Sequence, residues 1–253
     1  MRLDKYLAET TGLTRNDAKA LIKKAQVSVN GAVIKDAGFS VREKEDNVTV
    51  SGKEVRYSEF YYYVLNKPAG YVVSTDERDG IPVKNLLPEE MKNRLQPVGR
   101  LDKETTGILL FTDDGVFSHE LLSPKKHVDK TYFTVCEKEV TSEDLEKLRN
   151  GVAIGDGEVS APAVAEYVKS ELASGVLNEE CLSGDSNAGT EESKHYSILL
   201  TIHEGKFHQV KRMMQATCNK VVSLKRVAFG KLKLEDLNLA EGEGVFIEKS
   251  DIL

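Results

Sequence analysis

The stretch that decides the fold is GRLDKETTGILLFTDDG, residues 99–115, in which a charged loop precedes an apolar run and a turn. The run from Ile108 to Thr112 has the composition of a buried strand. Asp114 and Gly115 then turn the chain into VFSHELLS, which we expect to be helical. The loop before the strand holds Asp102, where a rigid sheet can present a carboxylate at a cleft. An isolated Asp in such a loop more often caps a turn.

Two later segments also carry reactive side chains. KTYFTV, residues 130–135, predicts a short strand containing Tyr132, although a strand tyrosine usually serves packing. In HEGKFHQVKRMMQATC, residues 203–218, a strand ends at Gly205 and a helix follows. The start of that helix has a cationic character suited to an RNA phosphate or to an ion pair with a carboxylate.

Working outward, the rest of the chain predicts a small N-terminal domain and a larger α+β domain with a largely antiparallel, mixed sheet and peripheral helices. We expect a strand from Phe60 to Leu65 and place the boundary at 57–60, giving domains 1–58 and 59–253. Residues 170–193, rich in Ser, Gly and Glu, predict a flexible acidic insertion between two strands.

The sequence of the N-terminal domain, residues 1–58, predicts two helices followed by two hairpins. Thr14 begins the second helix, and Asn30-Gly31 and Ser51-Gly52 are hairpin turns. The apolar stripe of the second helix consists of Ala18, Leu21, Ile22 and Ala25. Its opposite side carries Arg15, Lys19 and Lys23 at intervals of four residues, followed by Lys24. Such a ridge can contact a phosphate backbone, while an ordinary solvated helix face is the simpler explanation.

Composition narrows the class of protein. The chain has 253 residues, of which 40% are hydrophobic and 30% charged, and this balance is typical of a globular protein. No stretch approaches the roughly 20 apolar residues of a membrane span. The charged N-terminus predicts no secretory signal. Three widely spaced cysteines argue against a disulfide framework, so we expect a cytoplasmic protein.

Charge is distributed unevenly along the chain, whose net charge is -6. Residues 203–233 hold eight Lys/Arg and one acid, whereas residues 235–253 hold one base and six acids. Basic regions beside acidic ones fit a protein that binds a polyanion on one face, and ordinary solvated faces are the alternative. The five histidines lack metal-ligand spacing, and no phosphate-binding glycine loop is present, so we expect neither metal nor cofactor.

Taken together, these segments resemble two known families. RLDKYLAE followed by TRNDAKALIKKAQVSVNG is similar to the S4 RNA-binding domain. GRLDKETTGILLFTDDG, SPKKHVDKTY and EGKFHQVKRMM, in that order, resemble the pseudouridine synthases, and within them the group that acts on small-subunit (16S) ribosomal RNA. The two resemblances cover essentially the whole chain, although the acidic insertion is longer than the usual connection there.

The resemblance implies roles for particular residues. Asp102 is the catalytic carboxylate, Tyr132 stacks on the target base and relays a proton, and Lys211 pairs with Asp102. Arg100 helps to hold or replace the flipped base. The remaining residues implied to bind substrate or RNA are His208, Gln209 and Arg212 in the larger domain and Arg15, Lys19, Lys23 and Lys24 in the S4 domain.

The implied reaction is a cofactor-free isomerisation of uridine to pseudouridine by base flipping. The carboxylate acts either as a nucleophile at C1′ or as a base at C2′, and both remain open. We expect a monomer that binds ribosomal RNA or a small-subunit assembly particle and no membrane. The alternatives are a 23S ribosomal RNA pseudouridine synthase and a non-catalytic ribosome-assembly factor.

Overall fold

The computed structural model describes residues 1–74, 77–123, 126–168 and 196–253. Contacts within these ranges group Met1–Tyr61 with Leu87–Leu95 into one unit, and Tyr62–Leu86 with Gln96–Leu253 into a second. The segment 87–95 therefore packs with the N-terminal unit, although the sequence assigned it to the larger domain. The expected acidic insertion, 170–193, lies outside the described residues.

Two helices and a small antiparallel sheet make up most of the N-terminal unit. The helices are α1 (Leu3–Thr11) and α2 (Arg15–Lys23), and the strands are β1 (Val27–Val29), β2 (Ala32–Val33), β3 (Val48–Val50) and β4 (Lys53–Val55), in the order β2-β1-β3-β4. Both predicted hairpin turns are confirmed. Asn30 and Gly31 have φ of 51° and 83°, and Ser51 and Gly52 have 49° and 80°, as a two-residue turn with both central residues left-handed requires.

The α2 helix follows its sequence pattern except at its end. The Thr14 side chain accepts a hydrogen bond from the Asp17 backbone, so the predicted cap is confirmed. Ala18 and Ile22 are fully buried against α1 and the sheet. Ala25 is an exception to the predicted apolar stripe. The helix ends at Lys23, and Ala25 has a φ of 58° and is exposed.

The second unit is built on one large sheet with the order β13-β14-β10-β15-β9-β5-β17. Neighbours in this path pair antiparallel except β15 and β9, which are parallel, so the expected largely antiparallel α+β fold is confirmed. The path consists of β5 (Tyr62–Lys67), β9 (Thr106–Thr112), β10 (Lys130–Cys136), β13 (Val164–Tyr167), β14 (Tyr196–Ile202), β15 (Val221–Phe229) and β17 (Gly244–Ile247).

Shorter strands and four helices complete this unit within the described residues. The strands are β6 (Tyr71–Val72), β7 (Ile81–Pro82), β8 (Gln96–Pro97), β11 (Ala153–Gly155), β12 (Glu158–Val159) and β16 (Leu232–Lys233). The helices are α3 (Gly115–Leu122), α4 (Ser142–Asn150), α5 (Gln209–Ala216) and α6 (Leu234–Leu237). No helix in the described ranges is both long and apolar enough to cross a membrane.

The predicted elements around the decisive stretch are present. The strand expected at 108–112 begins two residues earlier, at Thr106, and the strand expected at 130–135 is β10. The helix expected after Gly115 is α3, and the buried Asp114 side chain caps it. The strand expected from Phe60 to Leu65 runs instead from Tyr62 to Lys67. Its last two residues are polar yet buried, which a hydrophobicity pattern cannot anticipate.

Candidate active site

One cavity of about 90 Å³ brings together residues from three distant segments of the second unit. Its reactive or polar lining consists of Arg100, Asp102, Thr105, Tyr132, Lys206, His208, Gln209 and Lys211. Six of these residues were singled out in the sequence, namely Arg100, Asp102, Tyr132, His208, Gln209 and Lys211. The fold therefore places the implied catalytic carboxylate, tyrosine and ammonium at a single concave surface.

Asp102 lies in the loop between β8 and β9, and backbone hydrogen bonds fix that loop. The Asp102 carbonyl accepts from the Thr105 backbone at 3.1 Å, which closes a turn. The Lys103 carbonyl accepts from the Gly70 backbone at 3.0 Å. The Asp102 carboxylate itself is 28% exposed, so it stands on a rigid loop and is accessible from solvent.

Lys67 is the principal anchor of this loop. Its side chain is fully buried at the end of β5, and Nζ donates to the carbonyls of Pro68, Lys103 and Thr105 at 3.0, 3.0 and 2.8 Å. Burial lowers the pKa of Lys67 to about 8, against the weaker opposing effect of nearby carboxylates. Three hydrogen bonds to carbonyls thus hold a buried cation under the Asp102 loop.

No role for Lys67 is predicted from the sequence. The available signal was a lysine near the end of YYYVLNKP, residues 61–68, where it follows an apolar run and Asn66 and precedes a proline. A lysine is almost never fully buried unless its ammonium group is paired or hydrogen-bonded. Because Lys67 belongs to a strand that is buried along its length, its ammonium is expected to be hydrogen-bonded within the protein.

Helix α5 supplies the cation that faces Asp102. Lys211 Nζ lies 2.7 Å from Asp102 Oδ2, and His208 Nε2 lies 3.4 Å from the other carboxylate oxygen. His208 precedes the helix with a φ of 48°, a left-handed conformation that is uncommon for a residue with a side chain. This backbone geometry starts α5 so that both side chains point at the same carboxylate.

Gln209 lines the cavity and also stabilises the loop before α5. Its side chain is buried, its Oε1 accepts from the Lys206 backbone at 2.9 Å, and its Nε2 donates to Glu204 at 2.5 Å. Glu204 also accepts from the Ala161 backbone at 2.8 Å. Gln209 therefore ties α5 to two neighbouring segments, and its amide is already engaged.

Arg212 lies apart from the cavity, although the resemblance groups it with His208 and Gln209. Its guanidinium donates to the carbonyls of Ile154, Gly155 and Phe207 and to the carboxylates of Asp156 and Glu158. These five bonds join the β11–β12 hairpin to the loop that precedes α5. The geometry gives Arg212 a structural role in fixing that loop.

The S4-type residues divide into two kinds. Arg15 Nη2 donates to the fully buried Asp4 carboxylate at 3.0 Å, and Arg2 pairs with the same group at 3.1 Å. Lys19, Lys23 and Lys24 are exposed, and no ion pair involves them within the described part of the chain. The exposed lysines are therefore free to meet an anion, whereas Arg15 also neutralises a buried carboxylate.

Asp102 and His208 are the side chains of metal-ligand type that line this cavity. Among the described residues, no group of three or more His, Cys, Asp or Glu side chains is arranged to hold a metal ion. The chemical groups that line this cavity are one carboxylate, one phenol, one imidazole, one hydroxyl, one amide and the cations Lys211, Lys206 and Arg100.

The cavity combines a paired carboxylate with a tyrosine, and comparisons with known proteins identify the class of RNA-acting enzyme to which the chain belongs. Residues 61–216 match the model of the RNA pseudouridylate synthase family, and residues 1–48 match that of the S4 domain. The chain belongs to the RNA pseudouridylate synthase family, whose members are isomerases that convert uridine in RNA to pseudouridine.

Curated relatives are similar over almost the entire chain. The uncharacterized RNA pseudouridine synthase YtzG of Bacillus subtilis (strain 168) is 42% identical over 96% of this chain and 93% of its own length. Ribosomal small subunit pseudouridine synthase A of Pasteurella multocida (strain Pm70) is 37% identical, and that of Escherichia coli (strain K12) is 35% identical. Each of these two alignments covers 96% of this chain and 94% of the relative.

One solved structure supports the same assignment. A crystal structure described as a pseudouridylate synthase aligns with a TM-score of 0.63 and 33% sequence identity, covering 100% of this chain and 98% of that one. The expected combination of an S4 domain with a pseudouridine synthase fold is thereby confirmed.

Proposed function

We propose that this protein isomerises one specific uridine of 16S ribosomal RNA to pseudouridine, with Asp102 as the catalytic residue. The supporting observation is the Asp102–Lys211 pair, with Nζ to Oδ2 at 2.7 Å, in a cavity that Tyr132 also lines. Relatives of near-equal length carry the name small subunit pseudouridine synthase, which supports 16S RNA as the substrate.

The proposed reaction uses three residues around the flipped nucleotide, namely Asp102, Lys211 and Tyr132. The C1′–N1 bond breaks, the uracil turns, C1′ bonds to C5, and the C5 proton leaves while N1 gains one. An ionised Asp102 either attacks C1′, forming an ester bond that breaks when C5 bonds to C1′, or removes the C2′ proton, which returns to C2′ when C5 bonds to C1′. In both routes the carboxylate must reach the ribose, which its loop between β8 and β9 permits. The Lys211 ammonium, 2.7 Å from Oδ2, orients the carboxylate for either route.

We assign Tyr132 the role of holding the detached base. It lies in the middle of β10, between β14 and β15, and is 9% exposed, so its ring is fixed by the sheet. A ring face can retain uracil by stacking, and the phenol or a water next to it can accept the C5 proton. Retaining both fragments in one site keeps recombination faster than escape.

The remaining polar residues support binding rather than chemistry. Arg100 lies on the rim and is suited to hold the flipped nucleotide or to replace it in the helix. His208 contacts the second oxygen of Asp102 and restricts its rotation. Since Asp102 is 28% exposed, water is excluded only once RNA covers the cavity.

The S4-type lysines supply affinity that does not depend on sequence. Lys19, Lys23 and Lys24 present three exposed ammonium groups on and after α2, where they can neutralise backbone phosphates. We place the protein in the cytoplasm, where ribosomal RNA is found, and propose that it acts as a monomer. Its substrate is ribosomal RNA, free or within a small-subunit assembly particle.

Substitution of Asp102 tests this function directly. Wild type is incubated with 16S RNA transcribed in vitro with [5-³H]UTP, and tritium release together with carbodiimide–primer-extension mapping should reveal one modified position. Asp102→Asn should release no tritium yet bind RNA, whereas Asp236→Asn, at an exposed aspartate on α6, should behave as wild type. Equal modification by wild type and Asp102→Asn would remove Asp102 from the mechanism. RNA binding without modification by wild type would favour a non-catalytic assembly factor.

A further inference from the structure

An exposed aromatic side chain stands beside the candidate active site and has no part in the chemistry above. Phe207 is 68% exposed and lies in the loop between β14 and α5. Burying a large apolar side chain away from water is favourable. A phenylalanine left exposed beside a polar cavity therefore indicates a surface that contacts a ligand. The sequence pattern predicts no role for this residue.

The backbone that presents Phe207 is held in place from both sides. Its carbonyl accepts from Arg212 Nη1 at 3.3 Å, and Arg212 is itself bound to the β11–β12 hairpin. The preceding residue, Lys206, donates its ammonium to the Val159 carbonyl at 2.6 Å and its backbone N–H to Gln209. The exposed ring therefore projects from an ordered loop, and little conformational freedom would be lost on contact with a ligand.

One face of the ring is already used for stacking. The Phe207 and His208 rings are stacked, with centroids 3.8 Å apart and planes inclined by 20°. The His208 ring in turn reaches Asp102, with Nε2 at 3.4 Å from Oδ1. His208 therefore contacts the reactive carboxylate of Asp102 with one ring atom and the solvent-exposed Phe207 with its ring face.

The surroundings of the stacked pair Phe207 and His208 favour a polyanion with aromatic bases over a protein partner. Residues 203–233 hold eight Lys/Arg and one acid, and Arg100, Lys206 and Lys211 line the same cavity as His208. Lys211 pairs with Asp102 at 2.7 Å and Lys206 with Glu204 at 3.4 Å. Proteins that bind single-stranded RNA combine cations along the backbone with aromatic rings on which bases stack. A flipped target base also leaves its neighbours unstacked, so they need a new surface.

We propose that Phe207, supported by His208, is a stacking platform for a nucleobase adjacent to the target uridine. This inference rests on the proposed function, because it takes the cavity beside Asp102 as the place of the flipped uridine. The platform binds an unpaired base of either ring type, since every base has a π-face. Phe207 acts in substrate binding and touches none of the reacting atoms.

The chain contains no tryptophan, so a single introduced indole gives a direct optical probe of stacking. Phe207→Trp should lose most of its fluorescence when in-vitro transcribed 16S RNA is added, because a stacked base quenches indole. Phe246→Trp, at a 45%-exposed phenylalanine of β17, is the matched control and should change little. An unquenched Trp at position 207, under conditions where filter binding shows bound RNA, would overturn the proposal.

A second set of variants separates ring stacking from apolar bulk. Loss of one base–aromatic stack corresponds to a loss of RNA affinity of about 5- to 150-fold. Phe207→Ala and Phe207→Leu should both show that loss, chiefly in KM, whereas Phe207→Tyr should remain within about twofold of wild type. Wild-type affinity in Phe207→Leu would exclude stacking. A fall in kcat with unchanged KM would show instead that Phe207 only positions His208.

The two proposals fail separately. Tritium release by wild type tests the isomerase assignment, whereas quenching at position 207 reports only whether a base lies on the ring. Quenching at position 207 without tritium release would contradict the proposed function and support the stacking platform. Tritium release without quenching would contradict the stacking platform alone.

Discussion

Lys211 Nζ lies 2.7 Å from Asp102 Oδ2, and this contact joins the start of α5 to the loop that precedes β9. The pair is partly open to water, with the Asp102 and Lys211 side chains 28% and 37% exposed. A half-exposed ion pair contributes little to stability, since such pairs are worth about 0–1 kcal/mol. Its value is therefore in orienting the carboxylate rather than in holding the fold.

Replacement of Lys211 should impair catalysis more than RNA binding. In Lys211→Ala we expect kcat to fall by about 100-fold or more, the usual scale for losing one electrostatic contact to a reacting group. RNA affinity should fall less than tenfold, roughly the worth of one phosphate contact. Single-turnover tritium release and filter binding measure the two quantities. Lys220→Ala removes an exposed lysine beyond the end of α5 and should leave kcat unchanged. An affinity loss as large as the activity loss would instead make Lys211 a phosphate contact.

Lys67 should matter for activity although it is buried beneath the loop. In Lys67→Met the three carbonyls of Pro68, Lys103 and Thr105 lose their shared donor, so the loop that carries Asp102 is less well fixed. A displacement of about 1 Å can cost about 100-fold in rate. We expect kcat to fall on that scale while RNA affinity and circular dichroism stay near wild type. Unchanged kcat would show that Gly70 and Thr105 suffice to hold the loop.

Stability should depend on pH through the same lysine. Burial lowers the pKa of Lys67 to about 8, whereas an unfolded lysine titrates near 10.4. Between these values the unfolded chain binds the proton more readily, so the free energy of unfolding should rise with pH. From pH 8 to 10.5, wild type should gain at most about 3 kcal/mol relative to Lys67→Met. Lys130, whose pKa burial also lowers to about 8, is present in both proteins and cancels. Urea titrations across this window measure the gap, and parallel curves would contradict the prediction.

The sequence predicted those parts of the fold that depend on local chemistry. Thr14 caps α2 and Asn30-Gly31 turns the first hairpin, because a hydroxyl acceptor and two left-handed residues each suit one local geometry. Asp102 and Lys211 could be brought together only through the family resemblance. The sequence around either residue contains no local signal that the intervening chain brings the two side chains into contact.

The features that the sequence missed depend on tertiary packing. Lys67 looks like a surface residue until β5 and β9 enclose it, and the polar end of β5 shifted the predicted strand by two residues. The family resemblance places Arg212 among the RNA-contacting residues, beside Lys211 in sequence. One step along a helix turns a side chain by about 100°, so Arg212 meets the β11–β12 hairpin instead.

The basic residues of α2 should differ in what their removal does. Lys19→Ala and Lys23→Ala should each weaken RNA binding with little loss of stability, and each should reduce the salt slope by about one. Arg15→Ala should also destabilise the N-terminal unit, because it removes one of two partners of buried Asp4. A hydrogen bond from Arg2 is the largest cause that lowers the pKa of Asp4 to about 2. Equal thermal stability of Arg15→Ala and Lys19→Ala would show that Arg2 alone neutralises Asp4.

Gly107 should be indispensable at the junction of β9 with β15, the one parallel pairing in the path of the large sheet. Its φ is 97°, and a Cβ there would lie 2.2 Å from the Arg226 carbonyl oxygen. Gly157 has a φ of 74° with open space around a Cβ, so Gly157→Ala isolates the cost of left-handed backbone, about 1–2 kcal/mol. Gly107→Ala should lose that amount and about 1–3 kcal/mol more, because backbone atoms must move apart. Because β9 continues directly from the Asp102 loop, its catalytic rate should fall as well. Thermal unfolding and tritium release of both variants check this, and equal losses would show that strands β9 and β15 separate without strain.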